Sequence, residues 1–395
     1  MVPTMSLFED KQRARQEPKK QGETDFAFYD SCTWPEIETY RQLVNGWIDE
    51  FPKAERAEMV ARMRDSDSSH YQAALAEVVI HAALLKLGYK VEVHPDAPHP
   101  TCKPDFLIKT EDGAPVAYME VTTFGPTNEA VGMNNREATI YNAIDKTNLP
   151  AGFRLSYDMT ARGTTSPNVG KLCAEIEKWA AGAAQDDLEI MPVKTFTVDD
   201  WQIELTLVGG FKKDVVPERS IGSAMGDIRQ VNADTEIRAA LKKKGSRYGD
   251  FAHPYIVAVV DCKGELAGGD SNADNFIEAV HGTVYTEVRT FADGAIETED
   301  KRRNNGYWGR PESPQHPNVS AAILLPRPHL WDLRQDRWQP LIMRHPWATH
   351  PLPDDVLPLP GWKLNEEGEF APVEGTRLAD ILDLPDPWPP EDKAE

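Results

Sequence analysis

Cysteine is scarce: the chain has four in 395 residues, Cys32, Cys102, Cys173 and Cys262, with no CxxC spacing among them. This excludes a disulfide framework and a cysteine-built zinc site, and it predicts reduced, isolated thiols in a cytoplasmic protein. Positive charge is also short. Lysine plus arginine number 43 against 64 acids, a net charge of −21, which argues against a surface that coats nucleic acid all round. Long hydrophobic runs are missing: the longest, at 255–260 and 321–325, are far too short to span a bilayer, so no membrane partner is expected. The N-terminal stretch is charged and has no apolar h-region, so a secretory signal is not expected. There is no GxSxG, P-loop or GxGxxG motif, which leaves acyl transfer, nucleotide hydrolysis and dinucleotide binding without support.

What is present is one hairpin with chemistry in it. From Lys103 to Thr123 the chain reads KPDFLIKTEDGAPVAYMEVTT. With Asp112 and Gly113 at the centre of the turn, paired residues have numbers summing to 225, which sets Asp105 opposite Glu120. Directly opposed side chains on one sheet face have Cβ atoms roughly 5 Å apart. Two carboxylates that close repel unless a cation lies between them, and a hard, oxygen-preferring ion such as Mg²⁺ (or Mn²⁺) meets that need.

The flanking elements are legible from periodicity. Residues 1–24 read as disordered, and 25–69 as a helical cap carrying Ile37, Tyr40, Leu43, Val44 and Trp47. A helix begins at His70, with Leu75, Val78, Val79, Ala82 and Leu85 on one face, and ends at Gly88. Strands follow at 89–94, 105–109 and 116–122, then a helix at 135–147 and a strand at 153–158. The fold class expected is α/β, a mixed central sheet flanked by helices with a core over 70–160. An α/β extension is expected over 161–310, with helices at 169–181, 235–244 and 273–281 and strands at 201–208, 255–260 and 319–325. Residues 311–395 form a large C-terminal elaboration, dense in proline and tryptophan, expected to wrap the core as extended chain. No linker is evident, so one elaborated domain is expected.

The helix–three strands–helix–strand order, with PD followed by ExT on adjacent strands, resembles the PD-(D/E)XK superfamily of restriction-endonuclease-like nucleases over roughly residues 70–158. The resemblance implies an αβββαβ core, Asp105 and Glu120 as Mg²⁺ ligands, Glu77 as an additional acidic ligand, and metal-dependent hydrolysis of phosphodiesters in defence or DNA processing. The alternative is a catalytically inactive binding protein that keeps the nuclease fold. The family's lysine stands two residues after the second acid, where this chain has Thr122. Lys103, which pairs with Thr122 in the 225 register, and Lys146, at the end of the next helix, are the two replacements, with Lys146 slightly ahead. The partner implied is nucleic acid, DNA ahead of RNA, and a homodimer is open because many enzymes of this fold cut both strands as dimers. His81, one turn after Glu77, reads as a satisfied helix histidine rather than a ligand.

One local patch runs against the acidic background. From Arg219 to Arg247 there are seven basic residues and three acids, a local net of +4, and Lys242, Lys243, Lys244 and Arg247 on its helix are the expected phosphate contacts. A solvated helix face is the equal alternative. His316, His329, His345 and His350 have no ligand spacing and read as structural or surface residues. The segments IRAALKKKGSRYGDFAHPYIVAVVD, GYWG with NVSAAILL, HPWATHPLP and LADILDLPDPW resemble a group of bacterial proteins of unassigned activity. That likeness implies that 200–390 and the core form one functional unit.

Overall fold

The computed structural model describes residues 6–98, 102–124, 128–184, 191–212, 219–225, 233–262, 264, 266, 268–327, 329–336, 339–365 and 368–390. The chain divides into two compact units. The first comprises Met1–Glu17, Thr24–Gly125 and Val231–Glu395; the second comprises Pro18–Glu23 and Pro126–Gln230.

The first unit opens with helices α1 (Asp25–Ser31), α2 (Pro35–Glu50), α3 (Arg56–Met63) and α4 (Ser68–Lys86). α4 starts where Asp67 accepts the Ser69 N–H at 2.8 Å, and the chain leaves it through Gly88, whose positive φ of 86° favours glycine. Its sequence is apolar on nearly every side, so almost all of Tyr71 to Leu84 is buried and the helix lies inside the unit rather than on it.

Strands β1 (Lys90–Val93), β2 (Phe106–Lys109) and β3 (Pro115–Phe124) form an antiparallel meander. Pairs Phe106↔Met119, Leu107↔Tyr118 and Ile108↔Ala117 hold the 225 register. The turn itself is offset by a bulge at Ile108/Lys109, with Gly113 at φ 94° closing it onto Thr110. The next strand in space beside β3 is not the next in sequence. Residues 126–230 form α5 (Asn128–Ile144), β4 (Arg154–Ala161), α6 (Val169–Ala183), β5 (Val193–Val198), β6 (Trp201–Val208) and β7 (Ile221–Met225), all in the second unit. The helix and strand expected to complete the core sheet, 135–147 and 153–158, are therefore α5 and β4 of a separate four-stranded sheet, order β5-β6-β4-β7. Sequence order misled here because the local pattern of a helix and a strand does not say which sheet receives them.

The first unit resumes with α7 (Ala233–Gly245) and β8 (Tyr255–Asp261), and β8 pairs parallel with β3, setting Glu120 beside Val257. Then come α8 (Asp270–His281), an exposed ribbon of β9 (Val284–Thr290) and β10 (Ile296–Arg302), and short β11 (Gly309–Arg310) and β12 (Ser313–Pro314). β13 (Ala321–Leu325), β14 (Leu341–Arg344), β15 (Gly361–Leu364), β16 (Phe370–Val373) and α9 (Leu378–Ile381) complete it. The result is an eight-stranded mixed sheet, order β1-β2-β3-β8-β13-β14-β15-β16, flanked by helices.

Every residue of β8 and β13 is buried, because both faces of the sheet are covered. One face, with Met119, Val121, Ile256 and Ile323, packs against α1–α4 and α9. The other, with Tyr255, Val257, Val259 and Leu324, packs against α7 and α8.

Two features of the sequence reading change. The segment after residue 5, read as disordered from its charge, is tied down: Leu7 and Phe8 are buried in the first core and Arg13 donates to the Asp30 carbonyl at 2.9 Å. The proline-rich segment does more than wrap the core, since β14, β15 and β16 extend the sheet itself. Trp308 is fully buried, while Trp331, Trp347 and Trp362 pack against the two cores as partly buried side chains; Trp338 lies outside the described residues. No helix among the described residues is long and apolar enough to cross a membrane.

Candidate active site

β3 alternates its side chains between the two cores. Met119 and Val121 point to the α4 face, and Tyr118, Glu120 and Thr122 to the α7 face. Continuing the register one step beyond Phe106↔Met119 brings Asp105 opposite Glu120, as the hairpin reading expected. Asp105 Oδ2 accepts the Val121 N–H at 2.6 Å, which fixes the carboxylate at the head of the strand. Burial, then the like charges of Glu120 and Glu77, hold the Asp105 carboxyl well above the usual carboxylate range. Three acids thus converge electrostatically at the mouth of the hairpin.

Glu120 is almost wholly buried, and two side chains from the end of α7 hold it. Lys244 Nζ donates to Oε1 and the Tyr248 hydroxyl donates to Oε2 at 2.5 Å. Burial and the Glu120 carboxylate push the Tyr248 phenol up, so it remains a donor. Lys244 was expected on the outer, phosphate-facing surface together with Lys242, Lys243 and Arg247. Those three are exposed, but Lys244 turns inward onto Glu120.

The placement of Lys244 is built, not incidental. α7 packs on β3 and β8, and its final carbonyls are satisfied from outside the helix. The Tyr255 hydroxyl donates to the Lys244 carbonyl at 3.2 Å, and Asn318 Nδ2 donates to the Gly245 carbonyl at 2.6 Å. A Cβ at Gly245 would lie 1.8 Å from the Tyr307 hydroxyl, so only glycine lets the helix end approach this closely. Tyr118 and Phe251 stack at 4.2 Å, and Tyr248, Phe251 and Tyr255 form an aromatic wall around the carboxylate.

Lys103, one of the two lysines singled out earlier, does not reach the Asp105–Glu120 pair. Lys103 Nζ pairs with Asp96 at 3.0 Å on exposed chain; it precedes β2, and the β2–β3 ladder ends at Phe106↔Met119, short of Thr122. Lys146 is exposed and belongs to the second unit. A lysine does reach Glu120 from a helix, Lys244 at the end of α7. Sequence spacing gave no way to find Lys244, which stands 124 residues from Glu120 behind an inserted unit.

Glu77, on α4, is buried, but Arg62 of α3 holds it in a two-pronged pair: Nη1 to Oε2 at 2.9 Å and Nη2 to Oε1 at 2.5 Å. Burial works against the Arg62 charge, yet its hydrogen bonds to Glu77 and the nearby carboxylates of Glu77, Asp105 and Glu58 outweigh it and raise its pKa. Glu77 and Asp105 line a small cleft with Arg62, Glu55, Glu58 and His94. Among the described residues no cluster of three acidic, histidine or cysteine side chains stands ready as a metal shell. The expected trio of Glu77, Asp105 and Glu120 is divided: Glu77 and Glu120 are paired with cations, while Asp105 accepts from the Val121 backbone N–H. His81 does not point to a ligand role; it packs on Phe51 at 4.6 Å and Phe106 at 6.2 Å, with Nδ1 unpartnered.

The donors are carboxylate oxygens, the kind a hard divalent cation prefers, but both oxygens of Glu77 and both of Glu120 already accept from protein donors. Comparison of the chain with protein-family models, with curated proteins and with solved structures finds no match.

Proposed function

We propose that this chain is a divalent-metal-dependent nuclease that hydrolyses phosphodiester bonds, with DNA favoured over RNA as substrate. The observation that carries the reading is the convergence of Asp105, just before β2, with Glu120 of β3 and Lys244 of α7. Along the first unit the order α4, β1, β2, β3, α7, β8 repeats the helix–three strands–helix–strand sequence of the PD-(D/E)XK family once the inserted second unit is set aside, which supports the resemblance. Asp105 and Glu120 would hold the Mg²⁺ or Mn²⁺ ion, which when bound supplies a polarised phosphate and a more acidic water. The Lys244 ammonium, fixed by the capped end of α7, offsets negative charge that develops on the phosphate. Tyr248 keeps Glu120 oriented, and the exposed Lys242, Lys243 and Arg247 offer phosphate contacts on the same unit.

A second reading, a non-catalytic protein that binds nucleic acid on this fold, draws on one observation: both oxygens of Glu120 are already engaged by protein donors. Incubating labelled DNA and RNA oligonucleotides with the chain and Mg²⁺ or Mn²⁺ separates the two. Cleavage by the native chain, falling at least ~10²-fold in Asp105→Ala, is the expected result. Equal cleavage by Asp105→Ala ends the nuclease assignment to this site. Binding at low salt with no cleavage establishes the second reading.

A further inference from the structure

We infer that the outer edge of β9 pairs antiparallel with the same edge of a second copy of this chain, joining two β9–β10 ribbons into one continuous sheet. This surface takes no part in the proposed hydrolysis.

β9 and β10 pair only with each other, over seven registered positions with no bulge, and every residue from Val288 to Asp300 is exposed. A two-stranded ribbon on its own is marginal in water. Five of the nine exposed large apolar side chains among the described residues lie on it: Val284, Tyr285, Val288, Phe291 and Ile296. The edges of the eight-stranded sheet are blunted by contrast. β1 is four residues long with Lys90 and Glu92 in it, and β16 carries Pro372. β9 has no proline, and its single acid and single base leave it neutral in a chain of net charge −21. Self-approach along this strand is therefore not opposed by its own charge.

The direction of the backbone groups selects the pairing. The Phe291 N–H donates to the Ala295 carbonyl and the Arg303 N–H to the Thr283 carbonyl, both at 2.9 Å. In this register the odd-numbered residues of β9 therefore exchange bonds with β10, and Thr286, Val288 and Thr290 turn their N–H and C=O groups to the outer edge. Val284 shows that direction at the base, where its N–H donates to Glu278 Oε1 at 3.2 Å, outside the ribbon.

An antiparallel copy centred on Val288 uses those outward groups. Val288 meets Val288 of the second copy, and Thr286 meets Thr290. On the other face Glu287 meets Arg289, and Tyr285 meets Phe291, each twice by symmetry. Aromatic, threonine and opposite-charge pairs of this kind stabilise a sheet. Moving the centre one residue sets Glu287 against Glu287 or Arg289 against Arg289, and moving it two breaks both Glu–Arg pairs. The β10 edge offers no equivalent: centres at Thr298, Glu299 and Asp300 oppose Glu297 to Glu299, Glu299 to itself and Asp300 to itself. The β9 contact is two-fold and closes on itself, so the product is a dimer.

The test uses the full chain. Sedimentation velocity at roughly 1 to 100 µM is expected to show a monomer–dimer equilibrium. Val288→Pro removes the outward N–H at the centre, at an edge position where proline leaves the ribbon itself formed, and should weaken the dimer at least ~10-fold. Glu287→Arg and Arg289→Glu each oppose like charges at both Glu–Arg positions and should be monomeric alone. Mixed in equal amounts, these two variants regain opposite charges at both positions and should form a heterodimer. Residue-resolved hydrogen exchange should show the Thr286, Val288 and Thr290 amides slowing as native concentration rises. The Glu287 and Arg289 amides, bonded to β10, report whether the ribbon is intact; if Val288→Pro loosens it, the charge variants decide alone.

A native chain that stays monomeric across this range overturns the inference. A dimer that all three variants leave at native affinity overturns it too, since the contact then lies elsewhere. Growth beyond a dimer would mean head-to-tail pairing, and failure of the mixed charge variants to associate would rule out the register centred on Val288.

Discussion

Lys244→Ala is expected to destabilise the first unit by about 3–5 kcal/mol, because it strands the buried Glu120 carboxylate at the centre of an eight-stranded sheet. Glu120 is held between β2 and β8 and cannot turn to solvent. Only the Tyr248 hydroxyl would remain on it, a neutral donor. The reverse change, Glu120→Gln, should cost less. The Lys244 side chain is 15 % exposed on a flexible stem, so its ammonium has a route to water that the carboxylate lacks. Adding Glu120→Gln to Lys244→Ala should therefore recover much of the lost stability, with a coupling on the order of 1–3 kcal/mol. Urea unfolding followed by hydrogen exchange, which separates the two units, measures all three variants. Equal losses from both single changes with no coupling would mean the pair contributes nothing beyond surface charge. This prediction concerns stability and holds whether or not the chain cleaves nucleic acid.

Mild acid is expected to weaken the first unit and spare the second. His81, His281 and His345 are buried, and burial lowers their pKa values to about 4, about 3 and about 4 from an ordinary value of 6.5. The charges of Arg302 and His345 add to the effect on His281, and a hydrogen bond to the Gln315 carbonyl partly opposes it on His345. Because the folded values lie below the unfolded one, the unfolded chain binds more protons between them. The stabilisation is fully present above pH 6.5 and is lost as pH falls toward 3–4. Each group contributes up to about 1.4 kcal/mol per pH unit in that window, so the three together approach about 4 kcal/mol per unit.

The raised Asp105 carboxyl works in the opposite direction, but it is one group against three. Pro18–Glu23 and Pro126–Gln230 contain no histidine, so this term is missing from the second unit. Hydrogen exchange at pH 7, 6 and 5 should show protection falling in β8, β13 and α4 while β4 and β6 hold. His81→Phe should fit between Phe51 and Phe106, remove an unpartnered ring nitrogen and reduce the slope by about a third. An unchanged slope in that variant would show that His81 is not neutral in the folded chain.

The comparison between reading and structure turns on what is local. α4, β2, β3, α7 and β8 are all where periodicity places them, and the Asp105–Glu120 opposition follows from a turn and a two-residue repeat. The shorter strands β5, β7 and β14–β16 have weak patterns and were not read. The disorder expected before residue 25 rested on composition, which does not register that two residues, Leu7 and Phe8, suffice to anchor a charged segment in the core.

The lysine is the instructive miss. The sequence leaves Lys103 and Lys146 open, with Lys146 slightly ahead for its place on the next helix, while the lysine bonded to Glu120 is Lys244. Lys244 had been assigned to the surface because three consecutive lysines and a nearby arginine read as a solvated charge run. On a helix, however, adjacent residues point about 100° apart, so one of three can face inward while its neighbours face water. Which one does so depends on where the end of α7 is capped and pressed, here by Tyr255, Asn318 and the tight approach at Gly245.

By itself the sequence determined the longer elements around the site and one short-range relation, the carboxylate pair across the hairpin. Hydrogen-bond register and side-chain alternation are properties of a few neighbouring residues and need no knowledge of the rest of the chain. Only the tertiary structure decided the partners of those carboxylates: Lys244 and Tyr248 on Glu120, Arg62 on Glu77, and the Val121 N–H on Asp105. Those contacts join residues 15 to 128 positions apart. They arise from how helices pack onto a sheet interrupted by a second unit, and no local pattern encodes that packing.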